Sequence, residues 1–179
     1  YRGIAEKKEK GDIVMDRKKD VLEPYQRGYV EVNLDNIVDN MKSMKAHIAK
    51  ETKMIAVIKA EGYGHGAVSI AKVLEPLDFM YGFAVATDTE ALTLRKEGIK
   101  KPILILGYTF PYSYEALIQE KVRLTVFQYD TIMELSDVAQ KISCSAKVHV
   151  KVDTGMGRIG ITPDKEGLHF IQTLLQTPN

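Results

Sequence analysis

The chain has 179 residues, 45% hydrophobic and 27% charged, proportions of a globular domain rather than of a disordered or fibrous one. Its 25 basic and 24 acidic side chains leave a formal net charge of +1, which gives no electrostatic reason for a nucleic-acid or anionic-membrane partner. No run approaches the roughly 18 apolar residues of a membrane span and no apolar signal core opens the chain, so the expected compartment is the cytoplasm; the single Cys144 rules out an internal disulfide and has no His or Cys at metal-ligand spacing.

Residues 1–28 are charged and aperiodic and read as a flexible leader, with Met15 expected as the biological start because KEKGDIV is what a purine-rich ribosome-binding site would encode. Tyr29 to Leu34 (YVEVNL) alternates like a short half-buried strand. Leu34, Ile37, Val38, Met41, Met44 and Ile48 then recur at helical spacing behind Asn33 as N-cap, with both methionines expected in the core.

From Met54 onward, short apolar strands alternate with amphipathic helices. The strands are expected at 54–59, 79–86, 103–106, 122–127 and 147–153. The helices begin near Ala67, Thr87, Tyr114 and Ile132, and the last has Pro163 near N1 and carries Leu168, Ile171, Leu174 and Leu175. Thr87 followed by Glu90 is a capping-box pattern. Strands and helices in this rhythm build βαβ units around a parallel sheet. Periodicity alone does not separate an open sheet from a barrel, and 179 residues are too few for a complete (β/α)8 barrel of about 250.

The most informative stretch is MIAVIKAEGYGHG, Met54 to Gly66. A β-branched run of this kind reads as a strand buried on both faces, and it ends abruptly in Lys59. Gly62, Gly64 and Gly66 follow at once, giving a loop whose backbone can approach an anion. A lysine at a strand exit beside such a loop points to imine chemistry with pyridoxal phosphate.

KAEGYGHG resembles the KADAYGHG or KADGYGHG motif of bacterial alanine racemases, which are fold-type III pyridoxal-phosphate enzymes, and VDTGMGRIG, Val152 to Gly160, is similar to a second run of that family. The resemblance covers residues 29–179; Glu61 stands where the family usually has Asp. It implies an α/β fold, a partial (β/α)8 barrel with about five of its eight βα units, and a protein that continues into further barrel strands and a C-terminal β-domain. On that expectation this chain is the N-terminal part of the cofactor-binding barrel domain and is inactive alone.

The resemblance makes Lys59 the catalytic lysine that binds the cofactor aldehyde and later faces the α-hydrogen of the D-enantiomer. A lysine desolvated at a barrel mouth is driven toward the neutral amine that such chemistry needs; an isolated strand-end lysine would otherwise be read as snorkelling. By the same route Tyr63 contacts the cofactor phosphate, Arg158 the cofactor's phenolic oxygen and the substrate carboxylate, and Met156 the substrate pocket. A guanidinium fork suits two-oxygen recognition better than an ammonium does. His65 is expected to orient the loop backbone, and no metal site is expected.

In the last strand Val148, Val150 and Val152 alternate with His149, Lys151 and Asp153, so a polar row faces the barrel interior if the valines face the helices. An unpaired lysine there is costly. Lys151 matches the family position that is often N-carboxylated; a direct pair with Asp153 is the other reading. Tyr108, Tyr112 and Tyr114 read as a partly exposed aromatic loop or a dimer contact.

The implied function is interconversion of L- and D-alanine by two bases on opposite faces of the substrate, in a cytoplasmic homodimer that supplies D-alanine for peptidoglycan. The second base is then a tyrosine from the partner subunit's β-domain. A serine-preferring racemase of the same family and a non-catalytic pyridoxal-phosphate carrier are the alternatives.

Overall fold

A computed structural model describes residues 4–7, 13–16 and 30–179. Within the expected leader, β1 (Ile4–Lys7) and β2 (Ile13–Asp16) pair antiparallel, Ile4 opposite Asp16. The rest of that leader, and Tyr29, lie outside the described residues.

Residues 30–33 form no strand, contrary to the alternation of YVEVNL, because alternation needs a partner strand to become a ladder and none lies beside this segment among the described residues. Val30 is 69% exposed. The segment instead delivers Asn33 to the start of α1 (Leu34–Ala46), where its side-chain oxygen accepts the Asn36 N–H at 3.1 Å. Leu34 and Met41 anchor that helix in the core, but Met44 is half exposed, so only one of the two methionines packs as expected.

The sheet has five strands, β3 (Met54–Val57), β4 (Met80–Val85), β5 (Ile103–Ile105), β6 (Arg123–Val126) and β7 (Lys147–Val150). Each lies parallel to the next, in sequence order. Their crossovers carry α3 (Ala67–Leu74), α4 (Asp88–Lys96), α5 (Tyr114–Gln119) and α6 (Tyr129–Lys141), and α7 (Lys165–Gln176) follows β7. An open doubly wound sheet reverses its order at a switch point; this one never does, so it is the wall of a partial (β/α)8 barrel with five βα units.

The helices cover one face. Ala56, Phe83, Val85, Ile103, Ile105, Leu124 and Val126 are buried there with Ile70, Leu74, Leu94, Leu117, Ile132 and Leu135. The opposite, inner face is different. Ile55 and Val57 are 41% and 44% exposed, alternating with buried Ala56 and Ile58, so β3 is not buried on both faces as its apolar run implied. Its inner face would need the far wall of a closed barrel, and the five described strands run from β3 to β7 without pairing back to β3. In α7 the cap is Asp164, whose carboxylate accepts the N–H groups of Glu166 and Gly167, which puts Pro163 before the helix rather than at N1. Phe170 anchors α7, while Leu168 and Leu175 are exposed.

The end of the barrel where strands begin is stitched through side chains. Arg95 donates to the carbonyls of Ile99, Lys101 and Glu120 at 2.8–2.9 Å, and Glu75 accepts the N–H groups of Lys100 and Lys101 at 2.6 and 2.8 Å. Burial pulls the Arg95 guanidinium down from its ordinary value, against the opposing pull of Glu120 and Glu75. Beside this seam Gly82 lies so close to β5 that a Cβ there would overlap the Pro102 carbonyl oxygen. Gly82→Ala is expected to lower the unfolding free energy by about 1–3 kcal/mol, read as a lower urea midpoint at unchanged slope. An unchanged midpoint would show that the strands part without cost.

Candidate active site

All the candidate residues lie at the end of the sheet where the parallel strands finish, the face on which barrel enzymes carry their chemistry. At the exit of β3, Ile58 is buried and donates its N–H to the Ala84 carbonyl at 2.9 Å, and Lys59 is half-buried. The chain then makes a turn, α2 (Lys59–Tyr63), whose middle is left-handed: Ala60 at φ 51°, ψ 49°, Glu61 at 55°, 43° and Gly62 at 61°, 37°. Tyr63, at φ 55°, extends the run. Positive φ in this loop is therefore not confined to its glycines. Three non-glycine residues share the left-handed region, each at a cost of roughly 1–2 kcal/mol.

Two carboxylates offset that cost. Glu61 Oε1 accepts the Ala67 N–H at 3.1 Å, using its length to cap α3, and Glu90 Oε1 accepts the Ala60 N–H at 2.7 Å. A Cβ at Gly62 would stand 2.8 Å from Ile70 Cδ1, so a larger residue there would have to displace the end of that side chain. His65 Nδ1 sits 3.2 Å from the carbonyls of Gly62 and Tyr63, the backbone-orienting place expected of it. The Tyr63 ring is 60% exposed.

On β7, Val148 and Val150 pack against the helix-side core, with His149 and Lys151 between them in the alternation. The strand stops at Val150 rather than Asp153; Val152 is 41% exposed and bridges to Ile161. Lys151 is half-buried, and its amine has no carboxylate partner among the described residues. The direct pair with Asp153 is absent because the short aspartate turns onto its own loop: its Oδ1 accepts the N–H groups of Gly155 and Gly157 at 2.9 and 3.1 Å. Those two bonds hold its carboxyl below the usual carboxylate value. Met156 and Arg158 ride exposed on this loop. No hydrogen bond joins the side chains of Lys59, Tyr63, Lys151 and Arg158 among the described residues, although they share an end of the barrel.

One cluster was not singled out from the sequence. The Arg123 guanidinium stacks over the Tyr81 ring, 5.1 Å from its centroid, and its Nη1 lies 3.3 Å from His149 Nε2. Burial, then the charge of Arg123, pushes the His149 imidazole down. A basic residue opening β6 in register with Lys147 was the available signal.

The three tyrosines separate. Tyr108 meets Phe110 edge-on at 5.1 Å, and Phe110 stacks with the 80% exposed Tyr112. Tyr114 is fully buried and donates to the Thr109 carbonyl at 3.1 Å, so it is core rather than loop surface. A cavity of about 670 Å³ between the N-terminal ends of α6 and α7, lined in part by Tyr108, Tyr129 and Phe170, includes none of Lys59, Tyr63 or Arg158.

The family profile described as "Alanine racemase, N-terminal domain" matches residues 32–179. This chain belongs to the alanine racemase family. It is 42% identical over 151 residues to an alanine racemase of Clostridium tetani, covering 84% of this chain and 38% of that protein. Against an alanine racemase of Clostridium perfringens it is 44% identical over 150 residues, again 84% and 38%. The solved alanine racemase of Clostridium difficile 630 superposes with a TM-score of 0.77 at 40% identity, over 80% of this chain and 37% of that one. The chain thus spans under two-fifths of the length of these alanine racemases.

The Asp153 loop carries a pH dependence with a definite sign. Its folded pKa lies below the unfolded one, so the stabilisation is complete above the ordinary carboxylate value and disappears as pH falls through the lower folded value. Amide exchange of Gly155 and Gly157 is expected to accelerate across that acid window, beyond its intrinsic pH dependence. Asp153→Asn, which keeps an acceptor without the charge, is expected to remove the transition. A transition that survives in the variant assigns it to another group.

Proposed function

We propose that this chain carries the cofactor lysine and one of the two bases of an alanine racemase that uses pyridoxal 5'-phosphate. The observation that carries the reading is the half-buried Lys59 at the exit of β3, followed directly by a left-handed turn fixed by two carboxylates. A strand-end lysine with no chemical task needs no such turn.

The donor set fits the cofactor: a primary amine for an aldehyde, the Tyr63 phenol and the Arg158 guanidinium for anionic oxygens, and the apolar Ile55 and Val57 beside Lys59 for a planar ring. When bound, pyridoxal phosphate supplies an electron sink that acidifies the α-hydrogen of an amino acid. Lys59 Nζ would serve one face of the substrate, taking a proton as the neutral amine or returning one as the ammonium. Tyr63 donates to the phosphate without adding charge. Arg158 orients the substrate carboxylate, and Met156 restricts the pocket to a small side chain such as that of alanine. Racemisation needs a second base on the opposite face, which the family relation assigns to a tyrosine of a partner subunit in a homodimer. D-alanine for peptidoglycan is the corresponding product use, in the cytoplasm; among the described residues no helix is long and apolar enough to cross a membrane.

Incubation with pyridoxal phosphate, borohydride reduction and peptide mass spectrometry tests the reading. A pyridoxyl group on Lys59, lost in Lys59→Ala, is the expected result; label scattered over surface lysines would end the reading.

Lys151 is assigned to N-carboxylation. Its half-buried amine lacks a carboxylate partner among the described residues, since Asp153 is engaged by its own loop. Carbon dioxide adding to the neutral amine forms an N–C bond with loss of a proton and converts an uncompensated cation into an anion that can orient Arg158. Isotopically labelled bicarbonate is expected to give a carbamate carbon resonance that Lys151→Ala abolishes; a resonance unchanged in the variant refutes the assignment.

A further inference from the structure

We infer that Glu90 is the positioning residue for Lys59, an inference that rests on reading Lys59 as the imine-forming lysine. A capping box asks its acidic member only for a bond to the N-cap N–H. Here Glu90 Oε2 accepts the Thr87 N–H at 3.2 Å and Thr87 Oγ1 accepts the Glu90 N–H at 3.3 Å, which completes the box. The two shorter bonds go elsewhere. Oε2 accepts the Ala86 N–H at 2.7 Å, just beyond the end of β4, and Oε1 accepts the Ala60 N–H at 2.7 Å, just beyond the end of β3. One carboxylate therefore joins the exits of two neighbouring strands.

The Ala60 N–H belongs to the peptide that follows Lys59. The peptide that precedes Lys59 is held through the Ile58 carbonyl, which accepts the Gly62 N–H at 2.9 Å, and the peptide before that is tied to β4 by the Ile58 N–H bond to the Ala84 carbonyl, also 2.9 Å. With the preceding peptide held by the turn and the following one by Glu90, the Cα–Cβ direction of Lys59 is set, and Ala60 is kept at its left-handed φ of 51°. Glu90 touches no reacting atom; it acts through the backbone of its neighbour.

Three variants separate positioning from helix capping. Thr87→Ala removes the cap side chain and leaves the Glu90 carboxylate. It is expected to lower the melting temperature by a few degrees while leaving both the exchange rate of the Ala60 amide and the rate of borohydride-trappable attachment of pyridoxal phosphate at Lys59 unchanged. Glu90→Gln keeps size but turns one acceptor oxygen into a donor, so one strand exit loses its partner. It is expected to slow trapping at Lys59 by about tenfold, the effect of one charge-assisted hydrogen bond, and to speed Ala60 exchange. Glu90→Asp retains the charge and reaches its own helix but is one methylene short of Ala60, and it is expected to slow trapping in the same way, which keeps the test open if Glu90→Gln folds poorly.

Trapping at the parental rate in folded Glu90→Gln or Glu90→Asp overturns the inference, as does an equal slowing by Thr87→Ala. If the parental chain shows a protected Ala60 amide that the Glu90 variants lose, yet traps no cofactor at Lys59, then the cofactor reading has failed. The inference falls with it, and the carboxylate remains a fastening of the fold only.

Discussion

Parallel pairing of consecutive strands governs everything else in this molecule. Each strand must be returned to its start by a crossover, and each crossover carries its helix to the same side. That geometry buries one face of the sheet under helices, leaves the inner face to polar and half-exposed side chains, and gathers every strand exit at one end. The two ends then take different work. Where strands begin, Arg95 and Glu75 tie adjacent connections through backbone groups and Gly82 lets two strands nearly touch. Where strands finish, the chain bends into left-handed and carboxylate-capped turns.

The candidate side chains are prepared separately. The backbone around Lys59 is held by α2 and its carboxylates, Arg158 and Met156 ride on a loop wound around Asp153, and Lys151 stands on the inner side of the wall between them in sequence. No hydrogen bond among the described residues joins their side chains. The inner face meanwhile gathers positive charge: Arg123 meets an aromatic face and an imidazole whose pKa burial and Arg123 itself push down, rather than a carboxylate.

How far this was legible depends on the range of the interaction. The Asn33 cap and the Thr87–Glu90 box were readable because both partners lie within three residues, and the five βα units because each carries its own period. The lysine and arginine motifs were readable through family resemblance. What failed was information about distant surroundings. Alternation in YVEVNL does not say whether a neighbouring strand exists, and periodicity at Met44, Leu168 and Leu175 defines a face without saying what covers it. Ala60, Glu61 and Tyr63 have no preference for left-handed backbone, so their conformation depends on bonds such as those of the Glu61 and Glu90 carboxylates rather than on propensity. The bond from Glu90 to Ala60 spans 30 positions, beyond the reach of any local pattern.

That span bears on how the protein is made. During synthesis, β3 and Lys59 leave the ribosome well before Glu90, and the left-handed turn has no intrinsic preference to hold it. Lys59 therefore waits, as a strand-end lysine without a fixed direction, until β4 has paired and the first turn of α4 has formed. The nascent chain acquires the fixed backbone around Lys59 late, so an arrest of translation between the two positions yields a polypeptide that contains the lysine motif whole and still cannot aim it.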